Sequence, residues 1–170
     1  MKTILQTLYL FIFLTLLTGG VYPLIVTGIG RLFFQKQVGG SLVEKNGRPV
    51  GSRLLAQKFS QPRYFWPRPS AADYATLPSG ASNLGPTSAG LKNRTHGSYG
   101  TDMDTMSGGL DPHISPRAAL LQIPRVAQAR RLPPEQLAAL IHELSEPPQW
   151  GLFGEPRVNV LELNLRLDAL

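Results

Sequence analysis

KTILQTLYLFIFLTLLTGGVYPLIVTGIGR, residues 2–31, decides the architecture, because no charged side chain stands between Lys2 and Arg31. Those 28 positions would span about 42 Å as an α-helix, against a hydrocarbon core of about 30 Å. The densest part is Leu8–Leu17, and the apolar run resumes after Thr18-Gly19-Gly20 through Val21–Val26. A cleaved signal peptide has the same opening: Lys2, an apolar stretch, then small residues at 18–20. That reading stops the apolar run at Gly20, whereas here it continues for another ten residues. The expectation is therefore a retained transmembrane anchor over residues 1–34, spanning about 8–30, followed by one soluble domain over 35–170. Gly19, Gly20 and Pro23 are unusual inside such a helix. Small residues admit a neighbouring helix, and a membrane proline is tolerated where neighbours satisfy the freed carbonyl. These three are the candidate helix-packing residues, a mere kink near the interface being the equal alternative.

The remaining composition narrows the classes. A chain of 170 residues with a formal charge of +6 has room for one domain beside an anchor. Its Lys and Arg are scattered, with Arg130-Arg131 the densest spot, so no nucleic-acid footprint is expected. Attraction to membrane lipid is the milder use of that charge. There is no cysteine, which removes disulfides, thiolate metal sites and a cysteine nucleophile. Lys2 lies before the span and Arg31, Lys36 and Lys45 after it, a count that mildly favours a cytoplasmic C-terminal domain.

The soluble part reads as α+β. Asn46-Gly47 between short apolar stretches predicts a hairpin. Tyr64-Phe-Trp-Pro-Arg-Pro69 predicts an extended segment laid on a core, since its prolines forbid a helix. From Pro78 to Gly109 the chain is rich in Gly, Ser, Thr and Asn, and reads as loop. Ser115-Pro116 is an N-cap with the favoured first-turn proline, predicting a helix disturbed at Pro124 and ending near Arg131, with Leu120, Leu121, Val126 and Ala127 buried. Leu137, Leu140, Ile141 and Leu144 give a second helix after Pro133-Pro134. The alternation from Leu161 to Leu167 predicts a closing half-buried strand.

Chemistry is sparse. His96, His113 and His142 lack metal-ligand spacing, and Asp102-x-Asp104 lacks the terminal glutamate of a calcium loop. No nucleophile, base and oxyanion donors assemble. Ser79-Gly80-Ala81-Ser82-Asn83-Leu84 has the composition of a phosphate nest, but no lysine or helix start follows it directly, and an ordinary polar turn fits better. Gly109-Leu-Asp-Pro-His-Ile-Ser-Pro116 reads as capping architecture for the helix it precedes.

The sequence resembles the C-subunit family of the Kdp potassium-transporting P-type ATPase. The resemblance rests on Thr18-Gly-Gly-Val-Tyr-Pro-Leu24, Tyr64-Phe65 with Arg68-Pro-Ser-Ala71, Ser79-Gly-x-Ser-Asn-Leu84 and Gly109–Pro116. Gln122-Ile-Pro-Arg-Val-Ala127, Ala129-Arg130 and Val158-Asn-Val-Leu-Glu-Leu-Asn-Leu165 complete it. It implies a non-catalytic accessory subunit of a high-affinity potassium pump in the bacterial inner membrane, with its soluble domain periplasmic, against the charge count. Implied partners are a channel-like potassium subunit, an ATP-hydrolysing subunit and a small membrane peptide subunit. The implied role is assembly, together with that of a catalytic chaperone that raises the pump's ATP affinity. No cofactor is held stably, ATP being met only within the complex. By analogy with the family, Ser79, Gly80, Ser82 and Asn83 would be nucleotide-binding, although Ala81 replaces the usual second glycine. Gly85–Gly108 is also shorter than the helix and strand that family members carry there. The alternative is a free-standing, membrane-anchored periplasmic binding module.

Overall fold

A computed structural model describes residues 2–77, 84–85, 87–90 and 110–170. The chain divides into two compact units, Met1–Leu42 and Val43–Leu170.

The first unit is dominated by one apolar helix of 32 residues, Lys2–Phe33, long and apolar enough to cross a membrane. It comprises α1 (Lys2–Leu16), a π turn (Leu17–Val21) and α2 (Tyr22–Phe33), followed by the short α3 (Gln35–Val38). The π turn has a sequence cause. Pro23 has no N–H, and its ring would strike the carbonyl four residues back, that of Gly19. The helix widens instead, and the Tyr22 N–H donates to the Leu17 carbonyl, five residues back. Thr7, Thr15 and Thr18 return their hydroxyls to the carbonyls of Thr3, Phe11 and Leu14. These three hydroxyls thus have partners within the helix.

The second unit is α+β, as its pattern predicts. Strands β1 (Leu42–Lys45) and β2 (Arg48–Ser52) pair across Asn46 and Gly47, both at positive φ, as the two central residues of a type I′ turn require. A second two-stranded sheet pairs β3 (His113–Ile114) antiparallel with β4 (Val158–Asn159). Helix α4 (Pro116–Leu121) is capped by Ser115, whose side chain accepts from the Ala118 N–H. Gln122 then breaks the run, and α5 (Ile123–Arg130) restarts with Pro124 in its first turn. Helix α6 (Pro134–Glu143) buries Leu137, Leu140 and Ile141. These side chains close a core with Phe65, Ile114, Ala118, Ala119, Ile123, Val126, Val158, Leu163 and Leu167.

Two expectations fail here. Residues 160–167 form helix α7 (Val160–Leu167) and not the closing strand; only Val158 and Asn159 pair. Leucines at 161, 163, 165 and 167 satisfy period two, but Val160, Leu161, Leu163, Asn164 and Leu167 share one helical face and are the buried set. The Asn159 side chain accepts from the Glu162 N–H, a cap that starts a helix. Leu120 and Leu121 are not core residues but are 46% and 47% exposed. The break at Gln122 changes the phase, so Ala118 and Ala119 turn inward in their place.

Candidate functional site

Two arrangements stand out, one in each unit. In the apolar helix, the π turn coincides with Gly19-Gly20. A Cβ built on either glycine would meet nothing within 4 Å. Pro23 enters the first turn of α2 just beyond. The result is a notch with exposed backbone in an otherwise bulky surface, and it collects the three predicted packing residues within five positions.

In the second unit, Gln61–Pro67 has no strand or helix of its own, yet side chains from two helices and from the break between α4 and α5 fix its backbone. Asn164 on α7 accepts from the Phe65 N–H at 2.8 Å and donates to the Phe65 carbonyl at 2.9 Å. Gln122, between α4 and α5, accepts from the Trp66 N–H at 2.8 Å and donates to the Trp66 carbonyl at 3.1 Å. Each carboxamide stands in for a neighbouring strand. Both side chains belong to buried residues, where an unmet amide would be costly. Arg125 donates to the carbonyls of Pro62 and Tyr64 and lies 3.7 Å from the centre of the Trp66 ring. Arg130 donates to the Arg63 carbonyl and to Asp168, and sits 5.0 Å from the centre of the Tyr64 ring. Phe65 is thereby sealed in the core, while Tyr64 and Trp66 stack on arginine at the unit's edge.

Asp168 closes this frame. Its carboxylate takes Arg130 at 2.6 Å and Lys45 at 2.9 Å, with the Tyr64 hydroxyl at 3.3 Å. Burial opposes ionisation, but the hydrogen bonds and charges of Arg130 and Lys45 outweigh it and hold the carboxyl below its ordinary value. One residue thus links β1, the extended segment, α5 and the end of α7.

Asp111 does similar work in the Gly109–Pro116 stretch. It pairs with Arg68 at 3.2 Å and accepts from the His113 N–H at 3.0 Å. The Pro112 carbonyl takes the Val160 N–H. The described part of this stretch therefore positions a helix start and a strand pair, as its capping pattern suggests. Burial first, then the charge of Asp73, push the Tyr74 phenol up to about 12, so its hydroxyl stays a donor to the Arg68 carbonyl at 2.8 Å.

The nucleotide-binding candidates Ser79, Gly80, Ser82 and Asn83 lie outside the described residues, as do His96 and the Asp102–Asp104 pair. Among the described residues, no group of three or more His, Asp or Glu side chains is placed to hold a metal ion. Reasoning from residue types missed Gln122, Arg125, Arg130, Asn164 and Asp168. The signal was present, because four of the five sit in or beside the quoted family stretches, but polar residues inside amphipathic helices read as solvent-facing.

The family described as "K+-transporting ATPase, c chain" matches residues 4–169. The chain belongs to that family. A C subunit named as the potassium-transporting ATPase KdpC subunit of Rhodospirillum rubrum is 49% identical over 185 residues, covering 99% of this chain and 96% of the relative. Its namesakes in Dechloromonas aromatica and Geobacter sulfurreducens are each 46% identical, covering 100% of this chain and 99% of the relative. The Dechloromonas alignment spans 189 residues against 170 here, so that C subunit carries residues without a counterpart in this chain. Both the glycine notch and the pinned segment fall inside the family match.

Proposed function

We propose that this chain is a non-catalytic accessory subunit of an ATP-driven potassium pump, inserted through its apolar helix. Its partners are a channel-like potassium subunit, an ATP-hydrolysing subunit and a small membrane peptide subunit. The observation that carries this reading is the family match over residues 4–169, joined to an apolar helix whose Gly19-Gly20 notch has none of the described residues within 4 Å of an added Cβ. Membrane helices associate through close packing at such small residues. In this proposal the anchor is retained in a bacterial inner membrane and the soluble unit faces the periplasm. The chain raises the pump's affinity for ATP without a nucleotide site of its own, and Ser79, Gly80, Ser82 and Asn83 serve contact with pump subunits and not with nucleotide.

The deciding experiment purifies the tagged full-length chain from a strain that encodes the pump. The larger subunits should co-elute, and mass spectrometry should find residues 3–30 still attached. A chain recovered alone, or with a new N-terminus near Val21, overturns the proposal in favour of a free-standing module or a secreted domain. Sidedness is read by a Ser98→Cys variant, which should react with an impermeant maleimide in intact spheroplasts and not only after lysis. Titration of the full-length chain with ATP should give a dissociation constant above about 1 mM, less than about 4 kcal/mol of binding. Saturable micromolar binding lost in Asn83→Ala would restore a direct nucleotide role.

A further inference from the structure

After α6 the chain makes an excursion that the core does not require. Glu146 and Arg157 exchange both backbone hydrogen bonds, at 2.8 and 3.0 Å, and pair through their side chains at 2.9 Å. Farther out, Gln149 and Phe153 exchange another pair at 2.8 and 3.0 Å. Proline at 147, 148 and 156 limits the freedom of this stem. The tip, Trp150-Gly-Leu-Phe153, is thus held out by its own ladder.

The tip is apolar where solvent-facing turns are normally polar. Trp150 is 83% exposed, Leu152 82% and Phe153 61%, with the Trp150 and Phe153 rings edge to face at 6.1 Å. Trp150 also has a φ of +55°, a left-handed conformation that costs a residue with a Cβ about 1–2 kcal/mol. Glycine or asparagine would turn the chain at lower cost. The sequence instead keeps an indole there and projects it outward. No charge falls between Glu146 and Glu155, and Glu146 is neutralised by Arg157 and by Arg53 at 3.7 Å.

We propose that the Trp150–Phe153 tip inserts into the headgroup boundary of the bilayer that holds the apolar helix. Tryptophan and phenylalanine favour that zone, where an indole has an apolar body and a wet N–H. The uncharged tip suits it. Only residues 34–42 separate the membrane-length helix from Val43, so the tether is short. A contact too weak to hold a free protein then suffices, because a short tether raises the effective concentration to the millimolar range. This inference does not depend on pump assembly.

The chain contains two tryptophans, which makes the test direct. The full-length Trp66→Phe protein is reconstituted alone in phosphatidylcholine vesicles whose acyl chains carry bromine close to the headgroup. Emission from Trp150 should fall at least about twofold relative to unbrominated vesicles, and less when the bromines sit at the chain ends. The Trp150→Phe protein, emitting from Trp66, should be little quenched. Should Trp66→Phe fail to fold, the difference in quenching between the wild type and Trp150→Ser reports the same quantity. Unquenched Trp150 emission overturns the proposal. So does emission that is unquenched in vesicles but shifts to the blue once the larger pump subunits are added, which would assign the tip to a protein pocket.

Discussion

Within Lys2–Phe33 no side chain is buried, whereas Val43–Leu170 seals Phe65, Leu137, Ile141 and Leu163 in a core of its own. The two regions also treat their irregular backbone differently. At Gln61–Pro67 the second unit supplies Asn164, Gln122, Arg125 and Arg130, so the irregular stretch is bonded within the chain. At Leu17–Val21 the helix opens into a π turn beside two bare glycines, and among the described residues nothing lies within 4 Å of a Cβ added to either. The difference separates two kinds of polar or small residue. Those in the second unit complete a fold, and those in the helix are the ones the proposed assembly would use.

The comparison breaks most sharply at Asn164. Replacing it with alanine strands both backbone groups of Phe65 in the core, a loss of about 2–4 kcal/mol. Thermal unfolding of the detergent-solubilised chain should shift down by many degrees in near-ultraviolet dichroism, while the far-ultraviolet signal of the apolar helix persists. An unchanged melt would show that water replaces the amide, and that the segment is not fixed by the chain itself.

Gly20→Leu sharpens it from the other side. A Cβ at Gly20 meets nothing within 4 Å among the described residues, so the melt should not move. Co-purification with the larger subunits should fall several-fold, because bulk at the notch blocks close helix approach. A lower melt with intact co-purification would reverse the roles assigned to the two regions.

The same contrast explains what could be seen in the sequence. The apolar helix, the Asn46-Gly47 turn, the Ser115 cap and the two helices flanking Leu132 were legible, because each depends on neighbours in sequence. Helix α7 was misread as a strand because its leucines fit both periods. The deciding residue was Asn164, a buried amide at a helical position, which a period-two reading turns outward. Leu120 and Leu121 misled for a related reason: Gln122 leaves the helical phase to reach Trp66, 56 residues away in the chain. The frame around Phe65 consists of long-range pairings between polar side chains and backbone, and local patterns carry no trace of them.

A third test uses pH. Because Arg130 and Lys45 hold Asp168 below the ordinary carboxylate value of about 3.9, its contribution is fully present above that value and is lost as pH falls through the lower, folded one. The melting temperature should therefore drop on acidification below about pH 4, and Asp168→Asn should start lower and fall less steeply. A parallel pH profile for the variant would place the acid sensitivity elsewhere and remove Asp168 as the link between β1 and α7.

The smallest expected effect is a gain. Arg131 ends helix α5 with φ at +57°, and the Leu132 N–H reaches back to the Ala127 carbonyl at 3.2 Å, the long bond of a helix stop closed by a left-handed residue. Glycine enters that conformation without the Cβ penalty, although it loses more entropy on folding. Arg131 is exposed, so its removal opens no cavity in the core. Arg131→Gly should therefore raise the stability of the second unit by about 0.5–1 kcal/mol, visible as a melt a few degrees higher. Co-purification with pump subunits should stay level if this end of α5 serves only the fold. A stability gain accompanied by lost co-purification would assign the Arg130-Arg131 corner to the pump interface and move part of the assembly surface out of the membrane.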